Sequence, residues 1–423
     1  MKKFSVIMFL CVAVAIFAAV PSQSPHTVQA QDGTEISIWI TGGENDATAL
    51  SNAAQIFTEE TGIVVKVEAV SWGDAYSRYL TAINSGTGAD MFAGGMSWGI
   101  SLGDLGGLVD LKATFGEEAV NAVLEVNNPE FVKAIIGVDG AVYGVPYNQD
   151  TILMFYLPEN LEAVGYDAPP TTWDEYVEVV NALRDADLGG AGFGWGHGEW
   201  IGFQIFLAQA GGSWYTEDCS ASAINTEEGL LALEQFTLLY DELGFPVEQV
   251  DTGAGFSTGE LSITFDGEWV APSIEPSYPE LAGRWSVAPL PAGPSSNASF
   301  VGGKMIGVFS YSDHVEESWQ FIQWLQTSEA AQAIIEETAG FGALFIPTQI
   351  ENLQYISADD FVRDALIEQF SSTTAPPNCP GWEESNAAIN LELQRVVFEG
   401  APFEDALIAM EDILNDALVE YGN

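Results

Sequence analysis

The feature that most narrows the fold is a change of hydrophobic period, repeated along the first quarter of the chain. Residues 35–40 alternate and are β-branched, the pattern of a half-buried strand. A turn follows at Gly42 and Gly43. Residues 46–61 then carry Ala49, Leu50, Ala53, Ile56 and Phe57 at helical spacing, and Gly62 closes them. Residues 63–70 return to strand and 74–84 to helix. Gly86 and Gly88 then turn the chain into a third strand. Strand and helix in alternation predict a doubly wound α/β lobe.

Ahead of that lobe the chemistry is different. Lys2 and Lys3 precede an apolar run over residues 4–20, and Val28, Gln29 and Ala30 form a cleavage pattern. Residues 1–30 read as a secretory signal peptide cut before Gln31. A membrane anchor is the competing reading, but about 17 apolar residues are marginal for a span. Cys11 lacks the small residues that a lipidation site wants before its cysteine. The protein is therefore expected outside the cytoplasm, secreted or periplasmic.

The rest of the chain, roughly 390 residues, suggests about two or three domains. Its 61 acids against 11 bases give a formal charge of −50, which excludes nucleic acid and anionic lipid as natural partners. The acidity is read as solvation, of the kind that suits a salty habitat. Cys219 and Cys379 remain after export, and a secreted setting favours one disulfide between them, although their wide separation gives no geometric argument. His26, His197 and His314 are scattered, so neither a metal nor a cofactor is expected.

One segment, residues 139–183, carries a resemblance. Asp139 and Gly140 turn into Tyr143, Gly144, Val145, Pro146 and Tyr147, and then Asn148, Gln149 and Asp150. An apolar strand follows. Pro169 and Pro170 stop it, and Thr171, Thr172, Trp173, Asp174 and Glu175 open a helix. This resembles the cleft-lining segment of the extracellular solute-binding proteins of ABC importers, especially the sugar-binding family that includes maltose-binding protein. Further motifs follow in the same order: 256–269, 285–291, 300–303, 315–329 and 343–347. The resemblance implies a two-lobed periplasmic-binding-protein-like α/β fold, each lobe a doubly wound sheet flanked by helices. It implies an N-terminal lobe of 31–148 plus 290–326 and a C-terminal lobe of 149–289 plus 327–423, joined by three hinge crossings. It also implies a permease as protein partner, and a monomer is expected.

The function so implied is capture of a neutral mono- or oligosaccharide in the interlobe cleft, with no chemistry on it. Sugars suit aromatic faces edged by carboxylates and amides, and 12 tryptophans are many for this length. Trp269 follows a turn where the family's matching tryptophan faces the cleft. Trp382 lies in a loop where sugar binders often carry an aromatic. Trp72, Trp98, Trp195 and Trp200 stand beside turn signals, with ordinary packing as the alternative for each. Trp39, Trp285, Trp319 and Trp324 fall on strand or helix faces and read as core.

Among polar residues, Glu44 follows the first strand's carboxyl end, where open sheets bind ligands. Asn148, Gln149 and Asp150 lie in a crossing. Asp266, Lys304 and His197 are further candidates, and Gly302 and Gly303 permit close backbone approach. Two other functions stay open. An aromatic box closed by two or more carboxylates would favour a cationic ligand such as a polyamine or betaine. A secreted glycoside hydrolase would need a carboxyl pair, for which Asp266 with Glu268, or Asp174 with Glu175, are the only offers.

Overall fold

The computed structural model describes residues 33–193 and 199–422. The signal peptide reading over 1–30, Trp195 and His197 lie outside the described residues.

Nine strands are present among the described residues: β1 (Glu35–Thr41), β2 (Val64–Val70), β3 (Met91–Gly95), β4 (Val145–Tyr156), β5 (Gly190–Gly192), β6 (Leu261–Gly267), β7 (Ser286–Ala288), β8 (Ser299–Val308) and β9 (Thr373–Thr374). They join in the order β2-β1-β3-β8-β4-β6-β5, with β7 also on β4 and β9 on β8. The first three pair in parallel, as their helical crossovers require.

Strand β4 belongs to both lobes. Its first half pairs antiparallel with β8, from Val145 opposite Ile306 to Thr151 opposite Val301. Its second half pairs with β6, from Ile152 opposite Gly267 to Tyr156 opposite Ile263, and with β7 on its other edge. Alternation then sorts its side chains. Ile152 and Met154 enter one core of the second lobe, whereas Leu153 and Phe155 enter a core on the opposite face.

The helices begin where local chemistry says they should. Thr172 accepts the Glu175 amide at 3.3 Å, while the Glu175 carboxylate takes the Thr171 N–H at 2.8 Å. That reciprocal cap starts the helix Trp173–Asp185, whose Trp173, Tyr176, Val179, Val180 and Leu183 form one buried stripe.

Near two of the expected boundaries the core contacts are these. Leu290 and Phe300 share a core cluster with Ile152 and Met154, whereas Val301 belongs to the cluster of the first three strands. Downstream, Thr327 caps the helix Ser328–Gly340, whose Ala330 and Ile334 enter that same cluster. Asn52 on the helix Glu44–Thr61 donates to Glu337 at 2.8 Å across that contact. The chain leaves this lobe near Phe345 and Ile346, which pack on opposite sides of the boundary.

Cys219 and Cys379 are joined by a disulfide with Cα atoms 5.5 Å apart. It ties a second-lobe loop to the loop that precedes the helix Trp382–Glu399.

Candidate ligand-binding cleft

A cavity of about 640 Å³ lies between the lobes. Its aromatic walls come from the ends of strands. Trp72 starts the helix Trp72–Ser85 after β2, and Trp98 starts the helix Trp98–Asp104 after β3. Their rings meet edge to face at 5.6 Å. On the second lobe, Trp200 opens the helix Trp200–Ala210, and its backbone N–H donates to Asn390 at 2.9 Å. Trp269 follows β6 in a single helical turn and is 42% exposed. All four line the cavity, two from each lobe.

Glycine makes room for this arrangement at two places. A Cβ on Gly267 would stand 2.1 Å from the Trp269 ring, so the ring lies flat over bare backbone. Gly303 has φ of +122°, and a Cβ there would meet the Asn148 carbonyl at 2.1 Å.

The floor is polar. Asp150, opposite Gly302 in the ladder, lines the cavity with Thr151 and Ile152. Burial pushes its carboxyl up to about 6, against the pull of the Lys304 ammonium. Lys304 also stands 5.7 Å from the centre of the Trp72 ring, within cation–π range. Beneath the floor, Glu268 is buried and accepts the Thr151 N–H at 2.8 Å. Burial first, and the nearby Asp150 second, raise its carboxyl well above the usual range.

Glu383 lines the second-lobe wall, and the sequence reading missed it. Asn386 donates to its Oε2 at 3.2 Å, whereas Oε1 is sealed from solvent without a partner. Burial raises this carboxyl to about 6, with a smaller downward pull from Ser97 on the opposite lobe.

Several sequence candidates stand elsewhere. Trp382 is a core residue, packed edge to face on Trp200 at 5.1 Å and against Trp214 and Tyr215. Its place was legible: Trp382, Ser385, Ile389, Leu393 and Val396 form one helical stripe, which turns Glu383 toward the cleft. Asp266 is buried, accepting from Thr252 at 2.6 Å and from the Gly267 N–H. Alternation along β6 turns it away from the cavity. The Gln149 amide braces the crossing, accepting from Asn128 at 2.8 Å and donating to the Pro347 carbonyl at 2.9 Å. Asn148 pairs with Lys304 and lies off the cavity wall, and Glu44 is exposed in the first turn of its helix. Trp285, Trp319 and Trp324 are buried, and Trp39 is half-buried under the Arg78 guanidinium at 4.0 Å.

Two lobes that share strands and enclose a mixed aromatic and polar cavity define a ligand-capturing protein of the hinged type. Residues 41–332 match the bacterial extracellular solute-binding protein family, and the chain belongs to that family. Among its relatives, the lactose-binding protein of Rhizobium radiobacter is 25% identical, over 66% of this chain and 68% of that protein. An ABC transporter solute-binding protein from Thermotoga lettingae, solved with α-D-tagatose, is 25% identical with a TM-score of 0.75, covering 91% of this chain and all of that one. The sugar-binding protein MalE of Xanthomonas citri, 22% identical with a TM-score of 0.78 over 92% and 98% of the two chains, shares the fold.

Proposed function

We propose that this protein captures a mono- or oligosaccharide between its lobes and hands it to the permease of an ABC importer. The carrying observation is the wall composition: Trp72 and Trp98 face Trp200 and Trp269 across one cavity floored by Asp150. Aromatic faces cover the C–H surface of a sugar ring, and carboxylates accept its hydroxyl protons. The ligands named for the relatives from Rhizobium and Thermotoga, lactose and tagatose, support the same class.

Ligand-binding roles fall to those four tryptophans, Asp150, Lys304, Glu383 and the backbone at Gly302 and Gly303. The lobes hinge where β4, β8 and the 345–349 segment run together. The protein acts as an exported monomer, and the ligand leaves it unaltered. A hydrolase reading gains nothing from Asp266 and Glu268, since Asp266 is turned away and already bonded.

Thermal unfolding against a saccharide panel tests the proposal. Ligand at about 100 times Kd stabilises by roughly 2.7 kcal/mol. A shift with one sugar class, lost in Trp269→Ala, is the expected result. No shift with any sugar, on folded and ligand-free protein, would refute it.

A further inference from the structure

We propose that the captured saccharide carries a basic nitrogen, and that Glu383 receives it as an ammonium group at the second-lobe wall. This rests on the carbohydrate reading above and narrows the expected neutral sugar to an amino sugar.

The first observation is an incomplete hydrogen-bond inventory. Glu383 Oε1 has no solvent contact and no well-formed hydrogen bond among the described residues, although the Ser97 hydroxyl of the first lobe comes near enough to act on the carboxyl, while Oε2 is held by Asn386. Buried acceptors are normally satisfied, and an orphan in a cavity wall points to a donor that arrives with the ligand.

The second observation concerns charge. Asp150 has Lys304 beside it. Among the described residues no such cation acts on Glu383: the charge felt most at its carboxyl is that of Glu384, which is repulsive. Among the described residues lining the cavity, none is lysine, arginine or histidine. A sugar hydroxyl would complete the hydrogen bond but leave a buried negative charge uncompensated. An ammonium group supplies both the donor and the charge.

Third, the surroundings suit a cation. Ser97 of the first lobe approaches Glu383, Trp98 lines the same cavity, and Trp200 packs on the adjacent Trp382. Two carboxylates, Asp150 and Glu383, thus close a box of four tryptophans, whose ring faces attract positive charge. The formal charge of −50 draws cations toward the molecule as a whole.

The test is calorimetric titration of the purified protein with glucosamine and galactosamine oligomers of about one to four units. Each is compared with its neutral and its N-acetylated counterpart, and spermidine and glycine betaine serve as cations that are not sugars. The amine form of the sugar that binds should be tighter than its counterparts by about tenfold or more. Glu383→Gln should abolish that difference, so that the amine and its neutral counterpart bind alike. The wild-type comparison needs no variant, so it stands even if Glu383→Gln folds poorly. Neutral or N-acetylated sugars binding as tightly as the amine would overturn this inference alone, as would a Glu383→Gln variant in which the amine keeps its advantage. Binding of spermidine or betaine with no sugar bound, or of nothing on the panel, would overturn the carbohydrate reading and this inference with it.

Discussion

At the residue scale, the cleft is made by side chains whose placement depends on a neighbour with none. Trp269 lies over Gly267, so Gly267→Ala should dislodge the ring without disturbing a core. Binding should fall about as far as in Trp269→Ala. Truncating a central aromatic contact of this kind costs about 2 kcal/mol or more, some thirtyfold in Kd. Isothermal titration would show the loss, and unfolding of the ligand-free protein should change little because the ring is 42% exposed. Turn signals located Trp72, Trp98, Trp200 and Trp269 in the sequence, because each follows an element end. Glu383 carries no such signal, being one of two acids in an ordinary first helical turn. Helical spacing from Trp382 to Val396 assigns Trp382 to the core and turns Glu383 out of it. The incomplete bonding of Oε1 is not legible in any pattern, since it depends on how segments distant in sequence pack around it.

At the scale of elements, caps and cross-links carry the predictions. Thr172→Ala removes the side-chain cap of the helix Trp173–Asp185 and should cost about 1 kcal/mol in denaturant unfolding. The disulfide has a larger part. Replacing Cys219 and Cys379 by serine together should destabilise the protein by about 2–5 kcal/mol. Because Cys379 lies three residues before Trp382, ligand affinity should fall as well, through loosening of the wall that carries Glu383. Unchanged affinity in a destabilised double variant would show that the wall is held by packing alone. The strand and helix sequence of the first lobe was readable from period alone. The returns between lobes were not: 290–300 and 327–329 carry ordinary strand and cap signals, and only packing partners decide the lobe to which such a segment belongs.

For the whole molecule, acidity and burial act in the same direction. Asp150 and Glu383 have carboxyls raised to about 6 by burial. The folded state therefore holds these protons more tightly than the unfolded chain does. Their contribution to stability is fully present below the unfolded values near 4 and is lost as pH rises through about 6. The melting temperature of the ligand-free protein should rise on going from pH 7.5 to about 5.5, and the double variant Asp150→Asn, Glu383→Gln should reduce that rise, with Glu268 supplying part of the remainder. Salt should also stabilise. Going from about 0.1 M to about 1 M shortens the screening length from about 10 Å to about 3 Å, which quiets repulsion among the 61 acidic side chains. A melting temperature indifferent to salt would mean that this repulsion is already relieved by the way the acids are spaced.

Strand β4 leads beyond stability to how such a protein diversifies. The tryptophan platforms occupy first helical turns just beyond strand ends, so exchanging one alters the cavity wall and leaves the ladder untouched. Asp150 is different, because it belongs to the strand that both lobes share. Ligand choice can therefore drift at the walls by single substitutions while closure is inherited unchanged. On the proposed function, a change at Asp150 would alter recognition and motion in one step, so that selection on either trait would be felt there by the other.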